Sequence, residues 1–177
     1  MEKNLLKDIP ELIAISHSLS VPSKTLLLEE GKVADTLYLI DKGCLRLFSH
    51  NEGKDITFQF FFEGDFVASF DSLYKRTPSL FGLENIEPAQ LTAIKRDDFY
   101  NLVYNNSSLR LLYEEKLTDR FHAYQQLFLS RIKNTPQQRY EELLKEHHDI
   151  ISRVPQHYIA SYLGITPVSL SRIRNRR

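Results

Sequence analysis

The sequence predicts an α+β fold. A body of short β-strands closes into a barrel, roll or sandwich, one long helix follows, and a helix-turn-helix ends the chain. Three observations predict this. Between Thr25 and Lys95, short apolar runs alternate with Gly, Asn or Asp breaks at intervals of about ten residues. From 107 to 133 no Gly or Pro interrupts a stripe of apolar residues three or four apart. The last 24 residues, Val154–Arg177, read VPQHYIASYLGITPVSLSRIRNRR, two short amphipathic segments around a Gly.

Residues 2–19 read as a helical lead-in. Leu5, Leu6, Ile9, Leu12, Ile13 and Leu19 stand at mostly helical spacing, interrupted by Pro10. Pro22 opens a different regime of seven predicted strands: Thr25–Leu28, Thr36–Ile40, Leu45–Phe48, Asp55–Phe62, Asp65–Phe70, Ser79–Asn85 and Ala89–Ile94. The breaks fall at Glu30-Gly31, Lys42-Gly43, Asn51-Glu52-Gly53, Glu63-Gly64 and Glu87-Pro88. Thr36 to Phe48 alternates around Gly43 as a hairpin does. Asp97-Asp98-Phe99 starts a short helix ending near Asn105-Asn106. Ser107 or Ser108 then caps a long helix to about Lys133.

On that helix Tyr113, Leu117, Arg120 or Phe121, Tyr124 and Phe128 share a face. Such a face does not stand alone in water. It lies against the β-body or pairs with the same helix of a second chain. Thr135-Pro136 breaks the pattern, and Pro136 suits the first position of a helix running to about Lys145, with Tyr140, Leu143 and Leu144 inward. Ile150, Ile151 and Val154 lead into the terminal segment.

That segment is a helix-turn-helix in every position. From Gln156, residues Ile159, Ala160 and Leu163 share one face, and Gly164 ends the first helix. Thr166 is an N-cap and Pro167 sits at the first helical position; Leu170 and Ile173 give the second helix its inner side. Its outer side is Val168, Ser169, Arg172 and Arg176. None of these 24 residues is acidic, and Arg172, Arg174, Arg176 and Arg177 are basic. A duplex is a polyanion, so this is the pattern of a groove-entering helix.

The net charge of zero hides a split. Residues 1–130 carry 14 Lys+Arg against 19 Asp+Glu, and residues 131–177 carry 9 against 4. An acidic body with a basic functional end follows. One cysteine excludes a disulfide framework and a four-Cys zinc or iron–sulfur centre; Cys44, on a predicted strand, reads as a small buried hydrophobe. His17, His50, His122, His147, His148 and His157 are scattered, so no metal or haem site is expected. No nucleophile triad or phosphate loop appears, which argues against an enzyme. No long apolar run or signal-peptide pattern is present, and a cytoplasmic protein without membrane contact is expected.

Three ordered stretches carry a resemblance. Leu28-Glu29-Glu30-Gly31 with Thr36-Leu37-Tyr38-Leu39-Ile40 and Gly43-Cys44-Leu45-Arg46-Leu47 forms the first. Phe62-Glu63-Gly64-Asp65-Phe66 is the second, and Gly164 to Ile173 the third. Together they resemble the Crp–Fnr family of bacterial transcription regulators, in the short form common in the Bacteroidetes. The resemblance implies a β-roll effector domain (jelly-roll-like, a double-stranded β-helix) over residues 1–106. It implies a dimerisation helix over 107–133 and a DNA-binding helix-turn-helix domain over 134–177. The implied partners are a second copy, paired along Tyr113, Leu117, Phe121, Tyr124 and Phe128, double-stranded DNA, and RNA polymerase. Each recognition helix would enter one major groove of a near-palindromic site, half-sites about 34 Å apart.

The resemblance also assigns roles. Arg172 falls where the family places a base-reading arginine, able to give two donors to guanine. Arg176 would hold the phosphate backbone, and Thr166 and Ser169 complete the contact set. Val168 departs from the Glu common in the family and offers only apolar contact, so the site read should differ at that base pair. The effector cassette departs further. Where the family carries Gly-Glu after the Gly64-Asp65 turn, this chain has Ala68-Ser69; where it carries Arg-Ser, this chain has Pro78-Ser79. Both charged contacts to a cyclic nucleotide are lost, and burying its phosphate without a counter-charge is costly. Cyclic AMP is therefore not expected as effector, and no cofactor is implied. The backbone-touching wing of many relatives is not expected within the residues up to Arg177. The competing expectation is a β-roll adaptor acting through protein contacts alone; four arginines without an acid weigh against it.

Overall fold

The computed structural model describes residues 9–175. The chain forms two compact units, Met1–Asn105 and Asn106–Arg177.

In the first unit the elements run α1 (Pro10–Ala14), β1 (Ser16–Val21), β2 (Leu26–Leu28), β3 (Thr36–Lys42), β4 (Leu45–Asn51), β5 (Lys54–Phe61), β6 (Phe66–Val67), α2 (Phe70–Lys75), β7 (Gly82–Asn85), β8 (Ala89–Lys95) and α3 (Arg96–Asn105). The strands make two four-stranded sheets, ordered β1-β8-β3-β6 and β2-β7-β4-β5. All pairings within them are antiparallel. This is the jelly-roll arrangement, in which inward residues of both sheets share one core. Ile40, Leu45, Leu47, Phe61, Val67, Leu83, Ala89 and Leu91 fill it. Cys44 is buried, as its apolar surroundings require.

The roll differs from expectation at two places. Ser16–Val21 is a strand paired to β8, not the end of a helical lead-in. The alternation Ser18-Leu19-Ser20-Val21 has a period of two, and Leu19 and Val21 pack on the core. Pro10 opens α1 instead of interrupting it. The second difference is Asp65–Phe70, expected as one strand. Pairing stops at Val67, and the chain turns into α2, whose Leu73 is fully buried. The β3–β4 hairpin behaves as expected. Gly43 has φ +113°, and a Cβ there would lie 2.8 Å from that of Ala89, so both conformation and space demand glycine.

On the far face of the β2-β7-β4-β5 sheet sits Arg46, 2% exposed. Its Nε donates to Glu84 Oε1 at 2.7 Å, its two Nη atoms to the Asp55 carboxylate at 2.5 Å each, and Nη1 also to Thr57 Oγ1 at 2.8 Å. The guanidinium lies 4.4 Å over the Phe48 ring. Burial works to lower its pKa, but Asp55 and Glu84 outweigh it, and the net shift is upward.

The second unit contains α4 (Ser107–Lys133), α5 (Pro136–Glu146), α6 (His148–Arg153), α7 (Gln156–Tyr162) and α8 (Pro167–Asn175). The α4 cap is Asn106, one residue before the serines expected there; its side chain accepts from Leu109 N–H at 3.0 Å. α5 begins with a capping box between Thr135 and Gln138. α6 is a single buried-face turn set by Ile150, in a stretch expected only to lead onward. Tyr140, Leu143, Ile150, Val154, Ile159, Ala160, Leu163 and Leu170 are buried along these helices.

Candidate nucleic-acid interface and effector cassette

α7 and α8 pack on each other around a short turn. The turn is built from three hydrogen bonds. Leu163 N–H reaches Ile159 O at 2.9 Å, Gly164 N–H reaches Ser161 O at 2.9 Å, and Ile165 N–H reaches Ala160 O at 3.0 Å. The last two define a Schellman motif, which requires the left-handed φ of +68° at Gly164. Thr166 Oγ1 then accepts from Ser169 N–H at 3.1 Å, capping α8.

Leu170 is 1% exposed and anchors α8, while Val168 stands out at 60% exposed. Arg172 and Arg174 are exposed, and Ser169 is half-buried with its hydroxyl 3.0 Å from that of Thr166. Thr166, Val168, Ser169 and Arg172 are thus gathered on the first two turns of one helix. Arg176 lies outside the described residues.

In the other unit, two of the cassette residues, Ser69 and Ser79, are brought together. Gly64 has φ +91°, and Asp65 Oδ2 accepts from Phe62 N–H at 2.9 Å, closing the turn before β6. Ala68, Ser69 and Ser79 are all buried. Ser69 Oγ and Ser79 Oγ hydrogen-bond at 2.8 Å across the α2 excursion. Ser79 Oγ also meets Phe81 N–H at 3.1 Å and Phe81 O at 2.7 Å. Exposed Pro78 bridges to Val33, which pins the segment. The nearby loop cations are engaged at the surface: Lys75 with Asp71 at 2.6 Å and Arg76 with Asp97 at 2.5 Å.

The profile of the Cyclic nucleotide-binding domain family matches residues 18–106. The chain belongs to the cyclic nucleotide-binding domain family. The match covers this roll, including the cassette where two neutral serines meet. Across nearly the whole chain the fold is also that of three solved structures. A CooA double mutant from Carboxydothermus hydrogenoformans is similar with a TM-score of 0.76 at 18% identity, over 99% of this chain and 84% of that one. FixK2 from Bradyrhizobium japonicum gives 0.77 at 18%, over 92% and 84%. CLP from Xanthomonas campestris gives 0.74 at 18%, over 96% and 90%. No curated protein matches the sequence. The expected fold, a β-roll followed by C-terminal helices, is therefore present in this member of the cyclic nucleotide-binding domain family.

α4 is one uninterrupted helix of 27 residues, about 40 Å long. Of its expected stripe, Phe121, Tyr124 and Phe128 are 63%, 41% and 65% exposed, while Tyr113 and Leu117 are half-buried. Ile132, 65% exposed one turn beyond Phe128, continues the stripe and was legible from its i+4 spacing. Among the described residues no helix is long and apolar enough to cross a membrane, and no group of three His, Cys, Asp or Glu is placed to hold a metal ion.

Proposed function

We propose that the protein is a sequence-specific DNA-binding transcription regulator, not an enzyme, working in the cytoplasm as a homodimer on a near-palindromic site. The observation that carries this is α8: anchored by buried Leu170, it presents Val168 and Arg172 to solvent in a 24-residue stretch without an acid. In this reading residues 134–177 form the DNA-binding part, 107–133 the pairing helix and 1–106 the effector roll. Arg172 reads a guanine by two donors, Val168 offers an apolar contact such as a thymine methyl, and Arg176 holds backbone phosphate. Pairing of two α4 helices through Phe121, Tyr124, Phe128 and Ile132 sets the half-site spacing. RNA polymerase is the further partner on which such a regulator acts.

We also propose that cyclic AMP is not its effector. Supporting this, the buried cassette hydroxyls of Ser69 and Ser79 bind each other, and Lys75 and Arg76 are paired to carboxylates. A bound phosphate would find no counter-charge there. Loss of the cyclic AMP response is compatible with regulation, since CLP, of the same fold, is described as a c-di-GMP responsive global regulator.

Selection of random duplex DNA by the purified protein without added ligand tests the first proposal. A two-fold symmetric consensus is expected; no enrichment at low salt, with or without cyclic nucleotides, would overturn it. Calorimetric titration with cyclic AMP tests the second. No binding heat is expected, and saturable binding would refute it.

A further inference from the structure

Resting on the DNA-binding reading above, we infer that Arg131 and Arg139 are positioning residues that fasten the turn of the helix-turn-helix to the end of α4, so that α8 is carried rigidly by α4. The starting point is the C-terminus of α7. A helix leaves its last four carbonyls without partners in its own backbone. The Schellman turn satisfies two of them, Ala160 O and Ser161 O, through Ile165 and Gly164. The other two are taken by arginines from elsewhere in the unit. Arg131 Nη2, from the last turn of α4, donates to Tyr162 O at 2.8 Å. Arg139 Nη2, from α5, donates to Leu163 O at 2.8 Å.

Arg139 has a second hold. Its Nη1 donates to Asn134 O, the C-cap carbonyl of α4, at 2.8 Å. One guanidinium thus bridges the C-terminal ends of α4 and α7, where the negative ends of both helix dipoles favour a cation. The same corner is tied by Glu142: Ser130 Oγ donates to its Oε2 at 2.7 Å, and Asn134 Nδ2 to its Oε1. Asn134 Nδ2 also reaches Ser130 Oγ at 3.3 Å.

The site uses the shape of the side chain as well as its charge. Arg139 Nε is buried with no partner among the described residues. Burial first, and then the Arg131 charge, pull the Arg139 pKa down, with Glu142 opposing. What the position uses is the planar fork, whose two Nη atoms each take one carbonyl, a fixed spread of donors that a single ammonium nitrogen lacks. Gly164, Ile165 and the Thr166 cap follow directly, so the first turn of α8 inherits its direction from this joint. Any effector-driven movement of α8 must then pass through α4 as a whole.

The test uses the full-length protein with Arg139→Lys, Arg139→Ala and Arg131→Gln. In the free protein, amide exchange at Gly164 and Ile165 is expected to accelerate at least about tenfold in both Arg139 variants, the loss of the charge-assisted hydrogen bond to Leu163 O. It should also rise in Arg131→Gln, a change at an exposed side chain that leaves Arg139 in place. Unchanged exchange in all three would overturn the joint. On the selected DNA site, Arg139→Lys is expected to bind about tenfold more weakly with an unchanged salt slope. Rescue by Lys, with a slope reduced by about one in Arg139→Ala, would mean a phosphate-contacting cation and would also overturn it. Should the wild type select no DNA, amide exchange still decides the joint, which separates its failure from that of the DNA-binding reading.

Discussion

Arg46→Met removes the buried cation of the roll while keeping most of the side-chain stem against Phe48. The structure sets the magnitude. Breaking a buried ion pair costs about 3–5 kcal/mol, because a charge is left behind without its partner. Glu84 is 15% exposed and receives the full penalty, whereas Asp55 at 38% exposed is partly screened by water and is discounted. The estimate therefore sits at the lower end, about 3 kcal/mol, including the loss of the Thr57 hydrogen bond. Urea unfolding at pH 7, followed by a probe of the roll, measures it. The decisive comparison is Arg46→Met with Glu84→Gln. Removing the Glu84 charge as well should recover about 1–2 kcal/mol of the loss, a coupling typical of contacting groups. A single-variant cost below about 1 kcal/mol, or a double variant weaker than the single one, would refute the reasoning that Arg46 is retained for its ion pairs with Glu84 and Asp55.

Three further outcomes are expected. Arg172→Ala should abolish discrimination at one base pair of the selected site, worth about 1–3 kcal/mol, while leaving the other positions as they were; a binding-site profile of the variant checks this. Phe121→Ser with Phe128→Ser removes two exposed apolar groups from α4 and should shift the sedimentation of the protein to that of a monomer without lowering its melting temperature by more than a few degrees. Glu30 and Asp97 respond to acid. Glu30 is held below its ordinary value of 4.5, first by the His50 backbone N–H and then by the Ser49 hydroxyl. Asp97 is held below 3.8 by hydrogen bonds from Arg76 and then Arg96. Both folded pKa values are depressed, so the stability they supply is present above those ordinary values and is lost as pH falls through the lowered ones. Glu30→Gln with Asp97→Asn should flatten the stability–pH curve below pH 4.5 and leave it unchanged in slope at pH 7.

The parts of this molecule legible in the sequence are those set by local chemistry. Gly43 and Gly64 mark turns because their backbones take positive φ, and the strands between such breaks lie close to where alternation puts them. Thr135-Pro136 and Gly164-Thr166-Pro167 announce helix ends through side chains acting on neighbouring backbone. β1 was obscured because Leu12, Ile13 and Leu19 mimic a helical stripe, and only its pairing with β8 decides the matter. α2 was obscured because its aromatic start continues a strand-like run. Ser69 and Ser79 meet only after α2 folds between them, so their mutual hydrogen bond is a property of the tertiary fold. Arg46 stands in an alternating strand like any outward residue; its burial depends on Asp55 and Glu84 arriving from two other strands. Arg131 and Arg139 read as ordinary helix charges until α7 supplies the carbonyls.

The order of pairing in the roll implies a timetable for its assembly. β4 and β5 meet through a tight hairpin; β7 joins β4 later in the chain, β2 reaches forward to β7, and β1 must wait for β8. These four partnerships are nested like brackets, with the innermost closing first and the outermost last. Contacts of this range are slow to form because loop closure precedes their reward. On a ribosome the roll cannot close its outer bracket until Lys95 has emerged, whereas the longest side-chain tie described in the second unit, Arg131 to Tyr162, spans 31 residues. The roll therefore has all its strands available while α4 to α8 are still being made, and its slow step is the meeting of its two most distant strands, not the arrival of new chain.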